Sequence, residues 1–230
     1  MPKFKQDGFT LIDLSHIVEN GMQTYQGLPA PIICDYLTRE ASKSHYQKGT
    51  SFQIGVVTLC SNTGTYVDVP FHRYEDGEDL SEIALSSLAN LECIKIVLPS
   101  KHSRVEKEHL EGINFKDKAV LFETNWSKHW GSEKYFEDHP FVTKEAAITL
   151  RDGGAIFVGI DSYNIDDVKG DARPCHTTLL KAGIPICEHM TNLKELPEKD
   201  FKLFAVPVKM KGMGTFPVRA FGIVENSQNN

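Results

Sequence analysis

The sequence predicts an α/β fold built on a mixed sheet within a single domain. Three almost continuously apolar runs, at 93–98, 119–122 and 155–160, are typical of strands that are buried on both faces. Helix signals mark two further segments, 143–150 and 177–182, and the alternation of such strands with helices indicates a mixed α/β sheet. A chain of 230 residues is long enough for one generous domain, and neither a repeat nor a linker-like stretch divides it.

The N-terminal part predicts short strands separated by loops. Residues 10–14 read as a strand, and the Gly- and Pro-rich stretch 20–29 reads as a loop. Residues 31–60 alternate strand-like runs with polar interruptions. An acidic turn then leads into a predicted short helix at 80–88.

The remaining elements follow from local start and stop signals. Pro99 ends the first buried strand, Thr143 is a predicted helix N-cap, and Gly183 is placed to end the last helix. The predicted elements of this part are, in order, a strand at 93–98, a helix at 105–110, a strand at 119–122, a helix at 143–150, a strand at 155–160, a helix at 177–182, an extended segment at 184–188, and a pair of strands at 201–208 and 220–224. We expect an ordered core at about 8–225 and a frayed polar tail at 226–230.

Composition excludes several classes of function. A net charge of −6 and a pI near 5.8 argue against a nucleic-acid-binding surface. No apolar run is long enough to span a bilayer, and the N-terminus lacks the apolar core of a secretory signal. Five cysteines without a CxxC pair predict reduced thiols. The sequence therefore predicts a cytoplasmic protein whose partner is a small-molecule substrate.

One segment stands out as a candidate site. Residues 62–72 read Asn-Thr-Gly-Thr-Tyr-Val-Asp-Val-Pro-Phe-His, and in an extended chain even spacings bring side chains to one face. The polar side chains on that face are Asn62, Tyr66, Asp68 and His72, while Val67, Val69 and Phe71 are predicted to enter the core. Spacing alone leaves a functional site and an ordinary turn with a strand exit equally open.

A second block lies near the end of the chain. Gly159 and Asp161 are followed by His176 and Glu188. The neighbours of this block are Leu179 and Leu180 after the histidine, and Asn192 and Leu193 after the glutamate. Taken alone, the histidine at a helix start and the glutamate after an apolar stretch are more readily explained as structural residues than as functional ones.

The two blocks together resemble the cyclase family of metal-dependent hydrolases, which includes bacterial arylformamidase (kynurenine formamidase) and isatin hydrolase. The family pattern is His-x-Gly-Thr-His-x-Asp-x-Pro-x-His. Five positions match it: Gly64, Thr65, Asp68, Pro70 and His72. Asn62 and Tyr66 stand where the family has its first two histidines, so the motif is degenerate. The resemblance extends from about residue 11 to about residue 224.

The resemblance implies a swivelling β/β/α fold, a homodimer or homotetramer, and a divalent metal, zinc or manganese. It implies that Asp68, His176 and Glu188 are metal ligands and that His72 is the catalytic acid/base. Asn62 offers only a weak carbonyl ligand. Because the chain lacks two imidazole ligands, we expect one ion or none.

The activity implied is hydrolysis of a small amide, lactam or formamide by metal-assisted attack of water. The catalytic residues would be His72, Asp68 and Tyr66. Met22, Tyr25 and Trp126 are expected to contact the substrate. Two alternatives stay open: a metal-free acid/base enzyme (a cyclase, dehydratase or isomerase), and a catalytically inactive relative that binds a small ligand.

Overall fold

A ten-stranded mixed sheet runs through the part of the chain that the computed structural model describes, residues 3–99 and 103–226. The strands are β1 (Lys3–Gln6), β2 (Phe9–Asp13), β3 (Ile32–Leu37), β4 (Ile54–Thr58), β5 (Tyr66–Asp68), β6 (Leu91–Val97), β7 (Arg104–Val105), β8 (Ala119–Glu123), β9 (Phe141–Val142), β10 (Phe157–Ile160), β11 (Ile186–Glu188), β12 (Phe201–Phe204), β13 (Thr215–Pro217) and β14 (Phe221–Glu225). The helices are α1 (Arg39–Ser42), α2 (Lys144–Asp152) and α3 (Pro174–Lys181).

The order of strands in the sheet is β1-β2-β14-β12-β6-β8-β10-β11-β5-β13. The four central strands, β6, β8, β10 and β11, are parallel, and the strands on both sides of them are antiparallel to their neighbours. The predicted α/β fold with a mixed sheet is confirmed. The polar tail expected at 226–230 lies almost wholly outside the described residues.

Both faces of the central strands are covered, which explains their continuous apolar sequences. In β8, Val120 and Phe122 belong to the hydrophobic cluster that α2 and α3 cover. Ala119 and Leu121 belong to a second cluster on the opposite face, formed with β2, β12 and the segment around Leu193. These four side chains are fully buried. Strands of this kind show no alternation of polar and apolar residues, because neither face meets water.

The two long helices follow their predicted signals. Thr143 caps α2, with its hydroxyl accepting a hydrogen bond from the N–H of Ala146. Helix α3 begins at Pro174, three residues before the predicted start, because proline fits the first position of a helix. Gly183 follows α3 with a φ of +74°, a conformation that glycine adopts without strain.

Three predicted elements are wrong in type or length. Residues 80–88 form only a short 3₁₀ turn, Leu85–Ser87, since the carboxylate of Asp79 accepts hydrogen bonds from Ser81 and folds the start of the segment into a turn. Residues 105–110 form β7 and a 3₁₀ turn instead of an α-helix. Strand β12 ends at Phe204, because the N–H of Ala205 bonds to Leu88 O and leaves the ladder.

Strands β3 and β4 form a hairpin that stands apart from the main sheet. Within the described residues they pair only with each other. Large apolar side chains on both strands are exposed, namely Ile32, Ile33, Tyr36, Ile54, Val56 and Val57. We refer to residues 32–58 as the apolar hairpin.

None of the helices in the described ranges has the length and apolar character that crossing a membrane requires.

Candidate active site

Strand β5 carries two of the candidate residues on one face. Tyr66 and Asp68 are two positions apart, and both are buried, while Val67 between them enters the core on the opposite face. Sheet register places Tyr66 directly opposite Glu188 of β11. It places Asp68 opposite Thr215 of β13. The alternation read from the sequence therefore holds for these residues.

His72 reaches the site by another route than the one predicted. Strand β5 ends at Asp68, and Pro70–His72 form a 3₁₀ turn, so the four polar residues do not share one extended segment. Phe71 is only half-buried rather than part of the core. The turn packs against Gly214, where any Cβ would collide with the backbone of His72. Glycine at position 214 thus permits the close approach that brings His72 beside β13.

Helix α3 supplies His176, which a carboxylate holds in a fixed orientation. His176 Nδ1 lies 2.7 Å from Asp166 Oδ2, and Asp166 also accepts the backbone N–H groups of Cys175 and His176. His176 Nε2 then lies 3.6 Å from Asp68 Oδ2 and 3.7 Å from Glu188 Oε1. A carboxylate behind a histidine is the arrangement that orients imidazole ligands of metal ions.

The donor set fits a divalent cation. Potential ligand atoms of Asp68, His72 and His176 all lie within 4.8 Å of one another. Asp68 Oδ2 is buried and makes no hydrogen bond among the described residues. A buried carboxylate oxygen without a partner is costly, and a metal ion would satisfy it. Mixed imidazole and carboxylate ligands suit zinc or manganese.

The ionisable groups at this site shift one another's pKa values. Burial raises the pKa of Glu188 to about 7, with the negative charge of Asp68 adding to the effect and His176 opposing it. Burial by itself would lower the pKa of His176, but the carboxylates of Glu188, Asp166 and Asp68 outweigh it and raise that pKa to about 10. Without a metal the imidazole therefore carries a proton, which a metal ion must displace to bind there.

Tyr66 and Asn62 occupy the two positions at which the family motif described above has histidines. The Tyr66 hydroxyl donates a hydrogen bond of 2.5 Å to Glu188 Oε2, while Ile165 N–H donates to Oε1. Burial raises the pKa of Tyr66 well above its usual value, so the phenol stays protonated and acts as a donor, not as an anionic ligand. The Asn62 side-chain oxygen accepts a hydrogen bond of 3.1 Å from the Ser61 hydroxyl.

A threonine links the two other candidate residues. The Thr215 hydroxyl hydrogen-bonds to Asp68 Oδ1 and lies 2.7 Å from His72 Nδ1. A carboxylate can only accept, so Thr215 donates to Asp68 and accepts from His72 Nδ1–H. This pattern places a proton on Nδ1, so in the neutral ring Nε2 has the lone pair that a general base requires.

A cavity of about 400 Å³ opens onto these groups. Its walls include Asn62, Tyr66, His72, His176 and Glu188. Of the expected substrate contacts, Tyr25 lines this cavity. Met22 lines a separate cavity of about 580 Å³ beside His16 and Trp130. Trp126 lines neither cavity, and its indole N–H donates to Tyr135 O.

Two residues of the site were missed by sequence reasoning. Thr215 lies in a short strand that the Gly-rich stretch before it obscures, and only the pairing of β13 with β5 brings its hydroxyl to Asp68. Asp166 lies in a loop ten residues before His176. An acidic side chain in a loop is a weak signal of function, because solvated loops are often acidic.

The chain is similar to known proteins over most of its length. The model of the Cyclase family, described as "Putative cyclase", matches residues 12–167. The chain is 28% identical over 218 residues to a kynurenine formamidase of Bacillus cereus, covering 91% of this chain and 95% of that protein. It is likewise 28% identical over 210 residues to the kynurenine formamidase of Bacillus cytotoxicus, with the same coverage.

Solved structures show the same fold. One described as a potential metal-dependent hydrolase with cyclase activity superposes with a TM-score of 0.77 at 25% identity, covering 95% of this chain and 99% of the other. Isatin hydrolase A from Labrenzia aggregata superposes with a TM-score of 0.82 at 21% identity, covering 95% and 94%. These likenesses confirm the fold type that the sequence motifs imply.

Proposed function

Because this chain belongs to the cyclase family, we propose that it hydrolyses a small amide, lactam or formamide with the help of a divalent metal ion. The observation that carries the proposal is the convergence of Asp68, His72 and His176, with Glu188 3.7 Å from His176. The formamidases and isatin hydrolase that the chain resembles support the choice of an amide or cyclic amide as substrate.

Asp68, His176 and Glu188, one imidazole and two carboxylates, would hold the ion. When bound, zinc or manganese polarises a carbonyl and lowers the pKa of water toward neutrality. His72 has a separate part. Its Nε2 takes the proton of the attacking water and passes it to the nitrogen of the leaving amine as the carbon–nitrogen bond breaks. Thr215 keeps the other imidazole nitrogen protonated throughout.

Tyr66 and Asn62 limit the site to one ion. The Tyr66 hydroxyl donates to one oxygen of Glu188, so that oxygen is engaged by a hydrogen bond. The phenol bears no negative charge, and the side-chain oxygen of Asn62 accepts a hydrogen bond from the Ser61 hydroxyl. Two ligands for a second ion are therefore missing from this side of the cavity.

Two measurements test the proposal. Metal analysis of protein purified without chelator should find about one zinc or manganese ion per chain, and two tightly held ions would refute the one-metal site. Hydrolysis of N-formyl aromatic amides, lactams and lactones should depend on the added metal and be abolished by Asp68→Asn and by His72→Gln.

A metal-free acid/base enzyme is the second candidate, and the Tyr66–Glu188 hydrogen bond favours it. That bond and the ion pair of His176 with Asp166 satisfy most of the site without a cation. Turnover that persists after chelation, with a product that is isomeric with the substrate or has lost one water from it, would support this candidate. Ligand binding without any turnover would indicate an inactive relative.

The proposal includes assembly into a homodimer or homotetramer through the apolar hairpin. A two-stranded hairpin by itself is marginally stable in water and needs a further packing partner. Its exposed side chains, among them Tyr36 and Val57, are large and apolar, and exposed apolar patches of this kind mark protein–protein contacts. A second copy of this chain is the partner that supplies a matching surface by symmetry.

A further inference from the structure

Two arginines line the same cavity as the candidate catalytic groups. Arg73 follows His72 directly, and Arg173 precedes helix α3, which carries His176. The two cations thus come from different parts of the chain and meet at the walls of one cavity. The mechanism proposed above uses neither of them.

Neither arginine is neutralised by the protein. Within residues 3–99 and 103–226, no carboxylate lies within 4.0 Å of the guanidinium of Arg73 or Arg173, whereas Arg151 and Arg219 each pair with an aspartate. Arg173 is half-buried, and its Nη1 donates to three backbone carbonyl oxygens. Those bonds fix the side chain in place and occupy only one of its three nitrogens.

The balance of charge in the cavity favours an anion. Glu188 is the only carboxylate among the residues that line it, and together with buried Asp68 it is committed to the metal ion. A divalent ion between these two carboxylates is electrically balanced. The remaining cavity residues, among them Tyr25 and Asn164, are neutral, so the arginines leave an excess of positive charge. The chain as a whole has a net charge of −6, which makes this local excess stand out.

Building on the proposed amide hydrolysis, we infer that the substrate carries a carboxylate on the part of the molecule away from the scissile bond, and that Arg73 and Arg173 bind it. Guanidinium groups recognise carboxylates through paired, charge-assisted hydrogen bonds. A cavity of about 400 Å³ accommodates a molecule the size of an acylated amino-benzoate. Arg73 and Arg173 are then specificity-determining residues, not catalytic ones.

Binding to metal-loaded His72→Gln protein tests the inference without any turnover, because this variant lacks the proposed base while the ion still balances Asp68 and Glu188. The probes are the three formylaminobenzoates, with the carboxylate at the 2-, 3- or 4-position, and the methyl ester of each. Calorimetry should show at least one acid binding about tenfold more tightly than its ester, because the ester keeps the shape and loses the charge. The difference should shrink as salt is raised from low to high concentration.

Three variants assign the effect to the arginines. Arg73→Gln should lower the affinity for the acid nearly to that for its ester. Because Arg73 is exposed, its replacement leaves the core untouched. Arg173→Lys keeps the positive charge but loses the paired hydrogen bonds of the guanidinium. It should give an intermediate preference for the acid over the ester while preserving the fold. Arg151→Gln, which removes a surface arginine outside the cavity, is the matched control and should keep the full preference.

The inference is overturned if no acid binds more tightly than its ester, or if Arg73→Gln and Arg173→Lys both keep the wild-type preference. Turnover by metal-loaded protein separates this result from the proposed function. Equal hydrolysis of acids and esters would leave the hydrolase intact and refute the carboxylate site. Preferential binding without hydrolysis would keep the site and refute the hydrolase. If both hold, Arg73→Gln should raise KM for the acid and leave kcat unchanged.

Discussion

At the scale of single residues, the hydroxyl of Thr215 orders the proton positions of the site. It donates to Asp68 and accepts from His72, so one side chain orients both a proposed metal ligand and the proposed base. Cross-strand pairing of β13 with β5 delivers it there. This is a positioning role, since Thr215 itself does not line the cavity.

Replacement of Thr215 by valine tests that role. Thr215→Val keeps the shape but leaves Asp68 Oδ1 and His72 Nδ1 without their shared partner, so kcat should fall about 10- to 100-fold with little change in KM. The rate–pH profile should also shift, because the tautomer of His72 is no longer fixed. Thr215→Ser retains the hydroxyl and should behave like the parent protein. A Thr215→Val enzyme with unchanged kcat and pH profile would contradict the assignment.

His16 gives a pH-dependent contribution to stability away from the metal ligands. Its ring stacks on Trp130 at a centroid distance of 4.0 Å, and burial lowers its pKa from 6.5 to about 4. The unfolded chain therefore binds more protons between pH 6.5 and pH 4. Stability from the neutral ring is full above pH 6.5 and is lost as the pH falls toward 4.

The variant His16→Phe keeps the aromatic stack and removes the titration. Between pH 7 and pH 4.5 the free energy of unfolding of the parent protein should drop by about 2 kcal/mol more than that of the variant. Urea unfolding at the two pH values measures both drops. Equal drops would mean that the folded protein accepts a proton on His16 as readily as the unfolded chain does.

At the scale of elements, the apolar hairpin has the least support from its own chain. Its two strands pair with each other, and Tyr36 is 77% exposed. The hairpin also leads directly into the site, because Asn62 of the cavity wall is the fourth residue after the end of β4. Its packing partner therefore influences the geometry of the catalytic segment.

Charged substitutions on the hairpin should separate the assembled copies. Tyr36→Glu together with Val57→Lys should shift the mass measured by light scattering from a dimer or tetramer to a monomer, because charges disfavour an apolar interface. Arg151→Glu on α2, an exposed position outside the hairpin, is a control for surface charge. A parent protein that is monomeric at micromolar concentration would refute the proposed assembly.

At the scale of the whole molecule, the proposed metal ion would link three parts of the fold. Asp68 comes from β5, His176 from α3 and Glu188 from β11. An ion that binds only the folded chain must raise its stability. Binding of this ion would also displace the proton that the carboxylates of Glu188, Asp166 and Asp68 otherwise stabilise on His176.

Thermal unfolding should report that linkage. Zinc or manganese at about 100 times its dissociation constant should raise the free energy of unfolding by about 2.7 kcal/mol, and chelator should reverse the gain. In a domain of this size the midpoint should rise by several degrees. Asp68→Asn should abolish the response, whereas Thr24→Ser, a change outside the ligand set, should leave it intact. A midpoint indifferent to both metals would contradict the metal site.

The central sheet and α2 could be predicted from the sequence because their signals are local. Continuous apolar runs mark β6, β8 and β10, and the Thr143 cap marks the start of α2. The segments at 80–88 and 105–110 were mistaken for helices because side-chain hydrogen bonds, such as those of Asp79, decide their turns. Residues Asp68, His72, His176 and Glu188 were found through the family motif.

The sequence by itself determined the chemistry of this protein: which carboxylates and imidazoles the chain carries, and that Asn62 and Tyr66 replace two histidines of the motif. The tertiary structure alone decided which groups meet. Strand register brings Thr215 to Asp68 across 147 residues, and a loop brings Asp166 to His176. Arg73 and Arg173, from distant parts of the chain, share the cavity. Local patterns carry no record of such pairings, because they are fixed by the packing of the whole sheet.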